Sequence, residues 1–219
     1  MSPGDPFIRW DWVASHLGDI WLRLEQHLVL TGLAIGIGLA ISLVAGIWSS
    51  RWPWLYAPVT WVSGVLYTIP SLALFALLIP ITGLSIVTAE IGLVSYTLLI
   101  LIRNIVAGIR SVPPEVRDAA LGMGCTRRQL LWRVELPLAR PVILAGLRVA
   151  TVTTVGLTTV TALIGQGGLG YFILDGIQRF FSTVLVVGAG LSVLLAMAAD
   201  GLLVLVEWWT TPWAHRRRG

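Results

Sequence analysis

The chain has 219 residues, of which 56% are hydrophobic and only 12% charged. A soluble domain carries about 25% charged residues, so this composition excludes a fully water-exposed fold and predicts a polytopic membrane protein of about five or six spans. The net charge of +4 comes from 15 basic residues, all of them Arg. Most of them lie outside the apolar runs, which points to membrane orientation and away from nucleic acid. The single Cys125 excludes an internal disulfide and a cysteine-rich metal site. His16, His27 and His215 form no ligand cluster, so no metal site and no bound cofactor are expected.

Residues 1–24 read as an extracytoplasmic extension. Its start, Met1-Ser-Pro-Gly-Asp-Pro6, lacks the basic residues and early apolar run of a signal peptide, so the first apolar stretch is expected to be a retained span. Five apolar runs follow, at about 28–48, 60–80, 85–107, 141–164 and 183–207. Each has about the 20 residues a helix needs to cross the hydrocarbon. All are expected to be helical, because backbone in lipid must satisfy its own hydrogen bonds. The transmembrane domain is thus expected over 25–207, with a basic tail over 208–219.

In the first run, Gly32 and Gly36 form a G-x-x-x-G pair that permits close helix packing, within the subunit or across a dimer. Trp48, Trp52, Trp54 and Trp61 surround the first connection, Trp10, Trp12 and Trp21 precede the first run, and Trp208, Trp209 and Trp213 follow the last. This is the aromatic belt of a membrane interface. Pro70 lies inside the second run and is expected to kink its helix.

The connection between the third and fourth runs, 108–140, is too long for a turn. Pro113 and Pro114 end one helix and start another, with Glu115 and Asp118 near its positive end. Gly122 and Gly124 then break that helix, and a second amphipathic stretch runs from Arg127 through Val134 to Leu136-Pro137. Pro141 is expected to open the fourth span in a first-turn position. Arg148 lies seven residues beyond Pro141, and Asp200 seven residues before Glu207. At about 1.5 Å per residue, both sit at similar depth, roughly 10 Å from one face. An ion pair is expected, since isolated charges there are costly.

Seven Arg lie between 103 and 140, and Arg216, Arg217 and Arg218 lie in the tail. With Arg51, that places eleven Arg on one side, against Arg9, Arg23 and Arg179 on the other. The positive-inside rule and an odd number of spans then put the N-terminus outside and the C-terminus inside.

The spacing Asp118-Ala119-Ala120, three residues, Gly124, nine residues, Val134, one residue, Leu136-Pro137 resembles the coupling motif of ATP-binding cassette importer permeases. Asp118 stands where that family usually has Glu, and Val134 where it usually has Ile. The resemblance covers nearly the whole chain and is closest to permeases for glycine betaine, choline, carnitine and proline-type osmoprotectants. Tyr67-Thr-Ile-Pro-Ser-Leu-Ala-Leu-Phe-Ala-Leu-Leu-Ile-Pro80, Leu101-Ile-Arg-Asn104, Val134-Glu-Leu-Pro-Leu-Ala139 and Ile164-Gly-Gln-Gly-Gly-Leu-Gly170 are similar to that subfamily.

The resemblance implies an all-α type I importer permease in a bacterial inner membrane, paired with itself or a homologous permease. It implies two cytoplasmic ATPase subunits carrying ATP and Mg, an extracytoplasmic substrate-binding protein, and no enzymatic activity in this chain. It gives the segment 115–137 the role of gripping the ATPase. There the small residues Ala119, Ala120 and Gly124 are expected to allow close backbone approach, and Glu115, Asp118, Arg127 and Arg128 to pair across the contact.

Gly165-Gln-Gly167-Gly168-Leu-Gly170 satisfies the dinucleotide pattern, but a span precedes it and Asp175 follows too soon, so nucleotide binding is rejected. A tight reentry facing the solute path or the docked binding protein is expected instead. Tyr67, Tyr96 and Trp61 are the candidates for aromatic contact with a quaternary ammonium, and Pro70 for the path. The alternatives are an importer permease for another small solute such as an amino acid, or an ion-coupled secondary transporter. The latter class has more spans, inverted repeats and midplane charges. No His, Cys or paired-carboxylate constellation in the spans supports an intramembrane enzyme.

Overall fold

A computed structural model describes residues 7–215. Arg216, Arg217, Arg218 and the first six residues, on which the sidedness and signal-peptide readings drew, lie outside the described residues. Among the described residues every regular element is a helix. In chain order these are α1 (Trp10–Ser15), α2 (Leu17–Arg51), α3 (Pro53–Thr68), α4 (Ser71–Thr82), α5 (Ile86–Arg110), α6 (Pro114–Gly122) and α7 (Arg127–Leu130). A π-turn (Leu131–Glu135) leads into α8 (Leu136–Thr158), and a 3₁₀ turn (Val160–Ile164) follows it. α9 (Gly170–Gln178), α10 (Ser182–Thr210) and α11 (Pro212–His215) complete the described residues.

Among the described residues four stretches are long and apolar enough to cross a membrane: α2, α5, Arg127–Ile164 and α10. The pair α3 and α4 makes a fifth if it is counted as one broken span. This corrects the expectation of one kinked helix over 60–80. α3 ends at Thr68, and Pro70 caps α4 with φ −55° and ψ 135°. Proline lacks the N–H that would continue the ladder and drives the preceding residue to extended backbone, so the run is interrupted. α4 restarts when Leu74 N–H donates to the Pro70 carbonyl at 2.9 Å.

The fourth run also differs from expectation. Pro141 lies inside α8, and Pro137 occupies the first turn instead. The preceding π-turn closes with Leu136 N–H on the Leu131 carbonyl, a five-residue step. Such a bulge shifts the ladder by one residue where an α-helix would meet a missing donor.

The chain folds as two compact units. One comprises residues up to Gly36 with Ile69–Val94 and Thr151–Ala199; the other comprises Ile37–Thr68, Ser95–Ala150 and residues from Asp200 on. In the first unit Leu169, Phe172 and Val184 are buried, and Trp12, Ile20, Leu24, Phe181, Leu191 and Leu195 pack around them. The described part of the stretch read as an extension packs into this unit. Trp12 of α1 meets Phe172 and Phe181 edge-on at 6.1 and 5.9 Å, Arg9 N–H donates to Thr183 Oγ1 at 2.9 Å, and α2 already starts at Leu17. Burying this aromatic cluster ties α1 to α9 and α10.

In the second unit close helix contacts run through glycines. A Cβ at Gly46 would lie 2.7 Å from Ile105 Cγ2, and one at Gly108 would lie 3.0 Å from the Ala139 carbonyl. Small residues thus let α2 and α8 approach α5, the usual solution where lipid gives no hydrophobic drive to association. Gly32 and Gly36, the pair singled out by spacing, face open space.

Candidate functional site

The segment 111–137 is built from two short helices joined by a glycine. Pro114 sits in the first turn of α6, where its missing N–H costs nothing. α6 ends in a Schellman arrangement: Cys125 N–H donates to the Ala120 carbonyl at 3.1 Å, and Gly124 N–H to the Leu121 carbonyl at 2.9 Å. Gly124 has φ +86°, and a Cβ there would meet no atom within 4 Å. Its requirement is conformational: L-residues cost about 1–2 kcal/mol in left-handed backbone. α7 opens with a capping box, in which Gln129 N–H donates to Thr126 Oγ1 at 3.3 Å and Thr126 N–H to Gln129 Oε1 at 2.8 Å.

Glu115, Asp118, Ala119, Gly124, Arg127 and Arg128 are all exposed. Met123, at 79% exposure, and Trp132, at 60%, stand among them. The segment thus offers an apolar and charged surface. Ala120 departs from expectation: it is 2% exposed and packs inward, so it is unavailable to a partner. Val134, Leu136 and Pro137 are half-buried, in the π-turn and first turn of α8.

Sequence reasoning did not single out the charge behind this surface. Glu135 is 1% exposed and pairs with both Arg51 and Arg117. The Arg148–Asp200 pair is present as well. Arg148 Nε donates to Asp200 Oδ1 at 2.8 Å and Nη2 to Oδ2 at 3.0 Å, while Nη1 lies 3.5 Å from Glu207. Glu207 joins this pair because α10 carries it seven residues, two helical turns, beyond Asp200.

The glycine turn is organised by α2. Gly165 and Gly168 have φ +76° and +79°. Gly168 N–H donates to Gln26 Oε1 at 3.2 Å and Leu169 N–H to His27 Nδ1 at 3.2 Å. His27 is fully buried. Since its Nδ1 accepts, Nε2 carries the proton and donates to the Val155 carbonyl at 3.1 Å. Gln26 Oε1 also accepts from Arg23 Nη1 at 3.1 Å, and the Arg23 guanidinium lies 3.8 Å from the Tyr171 ring centre. At Gly167 and Gly170 there is no room for a side chain: a Cβ would strike Gln26 Oε1 and the Thr159 carbonyl oxygen respectively.

Tyr67 and Tyr96 form an edge-on pair with centres 5.8 Å apart, and Trp61, 71% exposed, lies outside it. Glu90 of α5 was also missed. Both its carboxylate oxygens are shielded and have no hydrogen-bond partner among the described residues. No group of three or more His, Cys, Asp or Glu that could hold a metal ion occurs among the described residues.

Residues 29–211 match the family described as binding-protein-dependent transport system inner membrane component. The chain belongs to this family. It is an inner-membrane permease component and not itself an enzyme. Family membership implies an ATPase partner and a substrate-binding partner.

The osmoprotectant import permease protein OsmW of Salmonella typhimurium is 39% identical over 85% of this chain and 89% of its own length. The carnitine transport permease protein OpuCB of Listeria monocytogenes is 36% identical over 90% of this chain and 91% of its own length. The choline transport system permease protein OpuBB of Bacillus subtilis is 31% identical over 91% of this chain and 92% of its own length. Among solved structures, an inward-facing form of the methionine transporter MetNI aligns with TM-score 0.77 at 22% identity, covering 88% of this chain and 96% of that one. An amino acid ABC transporter aligns with TM-score 0.70 at 19% identity, covering 91% and 98%. These two share the type I permease fold.

Proposed function

We propose that this permease forms the solute path of an ATP-driven importer for osmoprotectants: glycine betaine, choline, carnitine or proline-like solutes. Relatives named for osmoprotectant, carnitine and choline transport, at 31–39% identity over nearly the whole chain, support the solute class. The likeness to methionine and amino acid transporters, at 19–22% identity, extends to the fold alone.

The observation that carries the coupling role is the exposed α6–Gly124–α7 segment, which follows α5 and carries the family spacing. Glu115, Asp118, Ala119, Arg127 and Arg128 are its contact residues for a cytoplasmic ATPase. Gly124 sets the turn between the two helices. Two ATPase subunits bind ATP and Mg, a second permease completes the pathway, and an external binding protein delivers the solute. The Arg distribution supports the N-terminus outside and the C-terminus inside. Tyr67 and Tyr96, the break at Pro70 and the turn at Gly165, Gly167 and Gly168 are assigned to the solute path. Closure of the ATPases moves α6 and alternates access to that path.

The test uses the permease reconstituted in lipid vesicles with its ATPase and binding protein. Gly124→Trp is expected to insert and assemble but to lose ATPase stimulation by solute-loaded binding protein. Normal stimulation in that variant refutes the assigned grip. Solute uptake without any ATPase subunit identifies a secondary transporter instead.

A further inference from the structure

The exposed charges of the coupling segment leave one charged cluster unexplained. Glu135 is the last residue of the π-turn, and its side chain is 1% exposed. Arg51, the last residue of α2, pairs with it through Nη2 on Oε2, with Nη1 3.4 Å from Oε1. Arg117, in the middle of α6, brings Nε within 3.3 Å of Oε1, as an ion-pair contact without hydrogen-bond alignment. The Nη2 of the same arginine donates to the Ile109 carbonyl, one residue before the end of α5. A single buried carboxylate is therefore held by one arginine from the proposed coupling helix and one from the end of α2. α6 is tied in addition to the end of α5.

This arrangement resists sliding. A buried carboxylate that loses its partners carries an uncompensated charge, which is far costlier than a lost apolar contact. A displacement of α6 must either leave Glu135 underpaired or carry the π-turn, Arg51 and the α5 terminus with it. Both arginines are about one-third exposed, at 33% and 30%, so they are the outer arms and Glu135 is the pivot. Holding the segment in place does not require charge, because well-packed apolar side chains often replace a buried ion pair at no loss of stability. What charge adds is a directional link between separate elements.

We propose that Glu135 is a positioning residue for energy coupling: with Arg51 and Arg117 it transmits displacement of α6 to α2 and α5. This rests on the reading of the segment 115–137 as the ATPase contact and adds the relay behind that contact.

The test measures solute transported per ATP hydrolysed in the full reconstituted complex. Glu135→Gln, nearly isosteric, is expected to assemble with the ATPase yet lower that ratio about tenfold, within the range of coupling between sites. Arg51→Gln and Arg117→Gln are expected to do likewise. The double variant Glu135→Gln/Arg51→Gln should be no worse than either single one, because all act on one link. An unchanged ratio in Glu135→Gln, or additive losses in the double variant, overturns the relay.

Should Glu135→Gln fail to assemble, the triple variant Glu135→Met/Arg51→Met/Arg117→Met repacks the site without charge. Assembly with a low ratio supports the relay; a normal ratio assigns the cluster to stability alone and overturns it. Loss of stimulation in Gly124→Trp together with normal coupling in Glu135→Gln sinks the relay and leaves the ATPase contact standing. Normal stimulation in Gly124→Trp sinks the contact itself.

Discussion

The glycine turn at 165–170 and the coupling segment at 111–137 both interrupt regular helix, and they are fastened in opposite ways. The turn is held chiefly by neutral hydrogen bonds: Gln26 and His27 side chains take the Gly168 and Leu169 N–H groups, and His27 is satisfied at both ring nitrogens without charge. The coupling segment is held by a buried carboxylate between two arginines. Neutral bonds limit the cost of burial, since the groups remain paired without a desolvated ion. Ionic fastening makes the cost of separation larger. It suits the coupling role proposed for the segment, and it predicts that the two sites fail by different amounts.

The largest effect should follow from removing both arms of the ionic site. Arg51→Met with Arg117→Met leaves Glu135 buried and unpaired, a loss of about 3–5 kcal/mol. Thermal or denaturant unfolding of the purified permease in detergent checks this. If the double variant is as stable as the parent, the ionic site is no stronger than the neutral one and the contrast fails.

At the glycine turn the losses should be smaller and independent of charge. Gly170→Ala drives a methyl against the Thr159 carbonyl, which relaxes only by moving backbone, at about 2–3 kcal/mol. His27→Phe fills the space but leaves the Leu169 N–H and the Val155 carbonyl without their partner, at about 1–3 kcal/mol. His27→Gln, which can accept and donate, should recover part of that loss. Equal stability of the Phe and Gln variants would show that packing alone holds the turn.

The contrast bears on what a sequence discloses. The apolar runs and the motif from Asp118 to Pro137 are local patterns, and both were legible. Gly124 was legible as a helix breaker, and its left-handed φ gives the reason within the chain. The break at Pro70 was underestimated, because proline restricts two residues and the run had no other hydrogen-bonding route through them. The helix Gly170–Gln178 sits in a connection that apolarity alone left unassigned. Glu135 was quoted only as part of a motif. Its meaning depends on Arg51, 84 residues earlier, and no local pattern encodes that pairing. Arg148 and Asp200 could be paired from the sequence because two helices of known rise brought them to the same depth.

That second ion pair sharpens the comparison, because it has the chemistry of the Glu135 site without its burial. The side chains of Arg148 and Asp200 are 32% and 36% exposed and that of Glu207 is 23% exposed, against 1% for Glu135. About two helical turns from the membrane face, a charge that loses its partner can still draw in water or reach the interface, so its loss should fall below that at the enclosed Glu135 site. Arg148→Gln and Asp200→Asn should therefore each cost less than removing both arms of the Glu135 site. Arg148→Gln should be the worse of the two, because it leaves both Asp200 and Glu207 without their cation, whereas Asp200→Asn leaves Arg148 the Glu207 carboxylate. The double variant should cost less than the sum of the singles, since the second substitution removes a charge already stranded by the first. Unfolding midpoints of the three variants decide this. Additive losses would mean the two charges act separately despite the bidentate geometry. A loss as large as at Glu135 would mean that burial is not what sets the two ionic sites apart.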